Sequence, residues 1–184
     1  MDHYQDIRLL PDPEFASQML MSALFSRLHR ALVQTGLRHV GVSFPQVKRD
    51  LGNTLRLHGS AEDLQQLQQS QWLHGMRDHI ALGAIGPIPA AVQYRTVKRV
   101  QVKSSAERLR RRSVKKGWLS EEQAREQIAL SAEQRSELPY VQLKSASTRQ
   151  SFLLFIEHGP LLDKASAGTF SAYGLSATTT IPWF

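Results

Sequence analysis

His29 is the residue in this chain best suited to move a proton. It sits in the run Arg27-Leu28-His29-Arg30, and histidine is the side chain whose ordinary pKa lies nearest neutral pH. Leu28 carries the apolar phase of its segment, so His29 falls off the buried centre with an arginine on either side. Neighbouring cations disfavour a further positive charge and favour the neutral imidazole, the form that accepts a proton. Taken alone, a histidine so placed reads more often as an ordinary surface-helix residue. Other chemistries are thinly supplied. The 184 residues contain no cysteine and seven histidines, His3, His29, His39, His58, His74, His79 and His158. None of these lies four residues from another. Nucleophile elbows, phosphate-binding glycine loops and His-Glu-x-x-His are absent, and no group of acids resembles a two-metal site. A metal-dependent mechanism is disfavoured, and no cofactor is expected.

A partner for such a base is indicated by the run from Arg95 to Lys116. It holds ten of the 23 Lys and Arg residues and one of the 16 acids, a local charge of +9 that leaves −2 for the rest of the chain. The net charge of +7 is therefore concentrated in one place, and a polyanion is the simplest partner. Most charge runs are solvated faces, but solvated faces mix signs and this one does not. Ser104 followed by Glu107 predicts a capping box and a helix over about 105–116, with Gly117 as its stop. Arg108, Arg111, Arg112, Lys115 and Lys116 then share one face. Leu109 and Val114 form no apolar stripe, so the helix is expected to project and to gain order from what it binds. The preceding stretch, Tyr94 to Lys103, alternates as a strand does. Arg99 and Gln101 would point the same way, and those side chains can contact guanine and adenine edges respectively. For RNA a metal-free route exists: the ribose 2′-OH can attack its own 3′ phosphate when a base takes its proton, the developing charge is stabilised and the geometry is in line.

The elements that must position these residues follow from periodicity. His3 to Leu10 reads as a strand ended by Pro11 and Pro13. Glu14 to Gln34 reads as an amphipathic helix, with Met19, Ala23, Leu24, Leu28 and Leu32 inward and Phe25 and Val33 beside them. Strands are predicted over 39–44, 54–58 and 79–85, with a Ser60-capped helix between the last two. This βαββαβ order is the ferredoxin-like pattern, shared with RNA-recognition domains, although the aromatic RNA-stacking signature of that class is missing. The Gly-, Pro- and Ala-rich run 83–91 is a plausible boundary. The expected division is a ferredoxin-like domain over 1–92 and a smaller C-terminal domain over 93–184. The latter holds the basic helix, a short helix capped by Ser120, and two strands over 139–144 and 152–158, making an α+β protein overall. No stretch approaches a membrane span of about 20 apolar residues. The acidic start lacks a signal-peptide apolar region, so a cytoplasmic protein without a membrane partner is expected.

These features converge on a resemblance that covers essentially the whole chain. The runs Met1–Tyr4 with Asp6–Leu9, Gly41–Pro45, Arg99–Gln101 with Lys103, Glu107–Arg112, Leu143–Thr148, Phe152 with Leu154–Ile156, His158–Leu161, Tyr173–Ser176 and Pro182–Phe184 resemble, in order and spacing, the CRISPR-repeat-processing endoribonucleases of type I-F systems. The resemblance implies metal-independent cleavage of precursor RNA at the 3′ base of a repeat hairpin by 2′-OH attack, leaving a 2′,3′-cyclic phosphate. It also implies retention of the mature guide RNA and membership of a surveillance complex. His29 matches the family's general base, Ser145 the serine holding the 2′-OH, and Tyr173 the tyrosine orienting the histidine. Arg99 and Gln101 match the pair that reads the lowest base pairs, and Phe152 an aromatic on the closing pair. Arg112, Lys115 and Lys116 match helix positions in the groove, and Ser147 falls in a matching run. At Lys115 and Lys116 the family's pattern has Arg. Lysine lacks the bidentate fork, so phosphate contact is expected there. Alone, Ser145 would read as a turn serine, and Phe152 and Tyr173 as core aromatics. The competing readings are a non-catalytic hairpin-RNA-binding subunit and a basic structural protein of ribosome or nucleoid.

Overall fold

A computed structural model describes residues 1–101, 106–127, 137–145 and 148–184. The chain falls into two compact units, one of residues 1–100 with 138–184 and one of residues 101–137. The first unit carries two antiparallel sheets. In one, β1 (His3–Leu9), β2 (Gly41–Ser43), β3 (Thr54–Gly59) and β4 (Ile80–Leu82) lie in the order β2-β3-β1-β4, and the short β5 (Gly86–Pro87) also pairs with β1. In the other, β6 (Gln93–Val100), β7 (Tyr140–Lys144), β8 (Ser151–His158) and β9 (Ser176–Trp183) lie in the order β7-β8-β6-β9. With α1 (Ser17–Thr35) and α2 (Ala61–Gln69), this is an α+β architecture.

Helix α1 starts three residues later than its periodicity predicts. The Asp12 carboxylate accepts bonds from the backbone N–H groups of Glu14 and Phe15, both at 2.9 Å, and holds that segment in a turn. The helix ends where Gly36 takes a left-handed conformation (φ 71°) and donates to Leu32. Its buried stripe is Leu20, Met21, Leu24, Phe25, Leu28, Ala31 and Leu32. Met19, Ala23 and Val33, expected inward, are exposed. The reason is angular: the face centred on Leu24 and Leu28 also carries 20, 21, 25, 31 and 32, and puts 19, 23 and 33 outside it. That face meets Ile7, Leu9, Leu55 and Leu57, which alternate inward along β1 and β3 in the same core. Each such large side chain, fully buried, contributes about 1.5–3 kcal/mol. The cap predicted for α2 is present, with Ser60 Oγ accepting from Asp63 N at 3.0 Å and donating to its carboxylate at 2.9 Å.

Helix α1 also serves the second sheet. Ser22 Oγ accepts a bond from the backbone N–H of Gln142 in β7 at 3.0 Å. The second sheet turns Val97, Val141, Leu143, Leu154, Ile156 and Ile181 into the common core. Strand β9 was not predicted. It pairs with β6 from Gln93↔Trp183 to Val97↔Ser176, with a register shift between Thr96 and Val97.

The second unit contains α3 (Ala106–Lys115) and α4 (Glu121–Gln127). Gly117, with φ 69°, ends α3 as predicted. Its N–H donates to Val114 O and that of Trp118 to Ser113 O, both at 3.0 Å, and a glycine takes this left-handed turn without a Cβ penalty. Ser120 and Gln123 cap α4 reciprocally, at 3.2 and 3.0 Å. The Ser104–Glu107 capping box lies outside the described residues. No described helix is long and apolar enough to cross a membrane.

Candidate active site

The exposed edge of α1's buried stripe carries His29, half-buried at the point where the segment between β8 and β9 crosses it. His29 Nδ1 lies 2.8 Å from the backbone carbonyl of Ala172. A carbonyl only accepts, so Nδ1 carries the proton and donates it. In the neutral ring, Nε2 is then the bare nitrogen. The imidazole stacks on Tyr173, with centroids 4.0 Å apart and planes at 15°. Tyr173 is in turn parallel to Phe25 one turn up the helix, at 6.3 Å and 3°. The ring is thus held at one edge by a hydrogen bond and on one face by a stack.

What places Tyr173 is a tight turn. Gly174 N donates to Ser171 O at 2.9 Å, and Gly174 O accepts from Val42 N of β2 at 3.0 Å. Gly174 has φ +69°, and a Cβ there would come 2.7 Å from a Val42 methyl. Only glycine fits both the conformation and the approach.

The guanidinium of Arg99, near the end of β6, lies 5.8 Å from the Phe152 ring centroid and 6.0 Å from that of Tyr173. Phe152 is opposite Leu143 in the β7–β8 hairpin. His29, Tyr173, Arg99 and Phe152 are thus linked through the Tyr173 ring. Ser145 follows the last pair of that hairpin. Its Oγ accepts from Thr148 N at 3.2 Å and its carbonyl from Arg149 N at 3.0 Å, which fits a turn serine. Ser147 lies outside the described residues, as do Lys103 and the side chain of Arg108. Gln101 is exposed, and β6 ends at Val100, so the strand alternation expected to align Gln101 with Arg99 does not reach it. Arg111, Arg112 and Lys115 are exposed on α3, and Lys116 is exposed in the turn that follows it.

Among the described cations of the basic run, Arg95 and Lys98 are engaged within the first unit. Arg95 donates to Gly159 O from Nε at 2.9 Å and lies 4.5 Å over the Trp183 ring. Lys98 pairs with Glu157 across the sheet at 3.1 Å. Two histidines are also withdrawn from chemistry. His158 accepts the Phe44 N–H at Nε2, 3.3 Å away, and burial with the nearby Arg95 charge pushes its pKa down to about 4. His58 is wholly buried, bonds to Ser43 Oγ at 2.8 Å, and has its pKa lowered to about 3 by burial and Arg56. Among the described residues, no three His, Asp or Glu side chains gather where a metal ion could sit. The Ala172 carbonyl, as a backbone group, had no sequence signal.

This site is that of a protein with one oriented imidazole, a stacked aromatic support and a guanidinium able to face an anion. A family model described as CRISPR-associated protein (Cas_Csy4) matches residues 4–184. The chain is 56% identical over 184 residues to a CRISPR-associated endonuclease Cas6/Csy4 of Escherichia coli (strain UTI89 / UPEC), covering 100% of both chains. It is 50% identical over 187 residues to one of the same name from Pseudomonas aeruginosa (strain UCBPP-PA14), again covering 100% of each. The chain belongs to the CRISPR-associated Cas_Csy4 family, as the resemblance in its sequence implies.

Proposed function

We propose that this protein is a metal-independent endoribonuclease that cuts CRISPR precursor RNA at the 3′ base of the repeat hairpin and retains the mature guide RNA. The observation that carries the reading is the Nδ1–H···O=C bond from His29 to Ala172. It leaves Nε2 with a lone pair, as a general base must have. In the reaction, Nε2 takes the proton of the 2′-OH as the 2′ oxygen bonds to the adjacent phosphorus. The bond from phosphorus to the 5′ oxygen breaks, and that oxygen takes a proton from solvent. The upstream product ends in a 2′,3′-cyclic phosphate and the downstream one in a 5′-OH. Ser145 holds the 2′-OH, Tyr173 keeps the imidazole plane, and Phe152 meets the closing base pair. Arg99 and Gln101 read the lowest base pairs, while Arg108, Arg111, Arg112, Lys115, Lys116 and Ser147 contact the hairpin. An A-form major groove is narrow along its length, and a short stem opens it at the loop end, where long cationic side chains enter.

The antiparallel order β2-β3-β1-β4, with a helix after β1 and another after β3, supports a ferredoxin-like N-terminal domain. We draw its boundary near residue 92, between the strands of the two sheets. The same reading puts the protein in the cytoplasm, within a type I-F surveillance complex on its guide RNA. The test is single-turnover cleavage in excess EDTA beside a binding titration. His29→Ala should lose about 10²–10⁴-fold in rate while affinity stays near wild type. A 2′-deoxy nucleotide at the cut should block the wild type. Near-normal cleavage by the variant, a 3′-hydroxyl on the upstream product, or activity only with Mg²⁺ would overturn the mechanism.

A further inference from the structure

The C-terminal end of α3 presents a feature that the cleavage reading leaves unused. Trp118 is 63% exposed, the highest value among the large hydrophobic side chains of the described residues. The other two tryptophans are engaged in the fold: Trp72 is 8% exposed and packs in the core, and Trp183 carries the Arg95 guanidinium over its ring. Single exposed apolar residues are ordinary, but the setting of this one is not. Lys116 Nζ lies 4.9 Å from its ring centroid, and Arg111, Arg112 and Lys115 are exposed on the helix that leads to it. Its backbone is also fixed. The bond from Trp118 N to Ser113 O closes α3, and two residues later Ser120 opens α4 through its reciprocal cap. The indole therefore stands on an ordered corner between two helices.

We infer that Trp118 stacks on an unpaired nucleobase in the loop that closes the RNA hairpin. The inference rests on the hairpin reading above and adds a recognition element to it. Phosphates need only cations, which α3 supplies. An aromatic ring beside a cation matches the other half of a nucleotide as well, the flat base next to its phosphate. Bases inside a stem have both faces covered by their neighbours, so only an unpaired base can offer one. Lys115 and Lys116 lie at the C-terminal end of α3, and the groove they enter is open at the loop end. The unpaired bases adjoining Trp118 are then those of the loop.

The experiment compares wild type, Trp118→Ala and Trp118→Phe on two labelled RNAs. One is the repeat hairpin, selected by its cleavage. The other is the same stem closed by an abasic loop, with equal phosphates and no loop bases. Trp118→Ala should weaken binding of the native hairpin by about 5- to 150-fold, and Trp118→Phe should restore most of it. On the abasic loop, all three proteins should bind alike. Native hairpin should quench the tryptophan emission of wild type and leave that of Trp118→Phe unchanged. Equal loss on both RNAs would overturn the stacking role, and so would no loss on either. Lys115→Ala/Lys116→Ala separates the two levels. If it weakens both RNAs while Trp118→Ala weakens neither, stacking alone falls. If it too leaves both unchanged, the hairpin reading of α3 falls with it.

Discussion

Acid should loosen this fold well above the pH at which its carboxylates are protonated. The agents are His58 and His158, buried imidazoles whose pKa values lie at about 3 and about 4. In the unfolded chain both titrate near 6.5. Their folded values are depressed, so below pH 6.5 the unfolded chain binds protons that the folded chain refuses. The stability they contribute is complete above pH 6.5 and is lost as the pH falls toward 4 and 3. At pH 5 each has moved about 1.5 pH units into that window, at about 1.36 kcal/mol per unit, which costs about 2 kcal/mol apiece. Together that is about 4 kcal/mol, a large part of the 5–15 kcal/mol typical of a folded domain. The structural basis is specific. His58 Nδ1 meets no hydrogen-bond partner among the described residues, and His158 Nε2 must keep its lone pair for the Phe44 N–H. Urea unfolding followed by far-ultraviolet circular dichroism at pH 7.5, 6.5, 5.5 and 5.0 measures the effect. His58→Gln and His158→Gln should each be less stable than wild type at pH 7.5 but lose less on acidification, and the double variant should be nearly flat. A wild type equally stable at pH 7.5 and 5.0, or an undiminished slope in the double variant, would refute the argument.

Lys115→Ala with Lys116→Ala should reduce the slope of log affinity against log salt by roughly one to two units; an unchanged slope in binding titrations across salt would remove them from the phosphate contacts. Gly174→Ala should destabilise the chain by at least about 1 kcal/mol in thermal unfolding and slow cleavage further by shifting Tyr173. A variant with wild-type melting and rate would show that the turn does not need its left-handed residue.

Local rules carried the chain far. The caps at Ser60 and Ser120 and the stop at Gly117 were legible because a cap is built from residues within one turn of each other. Strand β9 was not. Thr178, Thr179 and Thr180 do not alternate in polarity, Pro182 argues against a strand, and only pairing to β6 makes the segment extended. Arg95 was counted in the basic run by its charge, but the Gly159 carbonyl that holds it is 64 residues away in sequence. The site divides along the same line. His29 was recognisable as a possible base by type and neighbours, and resemblance supplied Tyr173, Ser145 and Phe152. The carbonyl that selects its tautomer is a tertiary fact with no residue-type signature.

The His29–Ala172 bond spans 143 residues, and that has a consequence for synthesis. The basic run is translated before β7, β8 and the Tyr173 turn, so a growing chain carries its cationic helix while its imidazole still lacks both the acceptor and the stacking ring. Domains fold as they emerge, N-terminal parts first, and the first sheet with α1 can assemble early. A nascent chain therefore presents its cations before it can orient the imidazole of His29. The imidazole gains its acceptor and its stacking ring in one late step, when the 171–175 turn docks against β2.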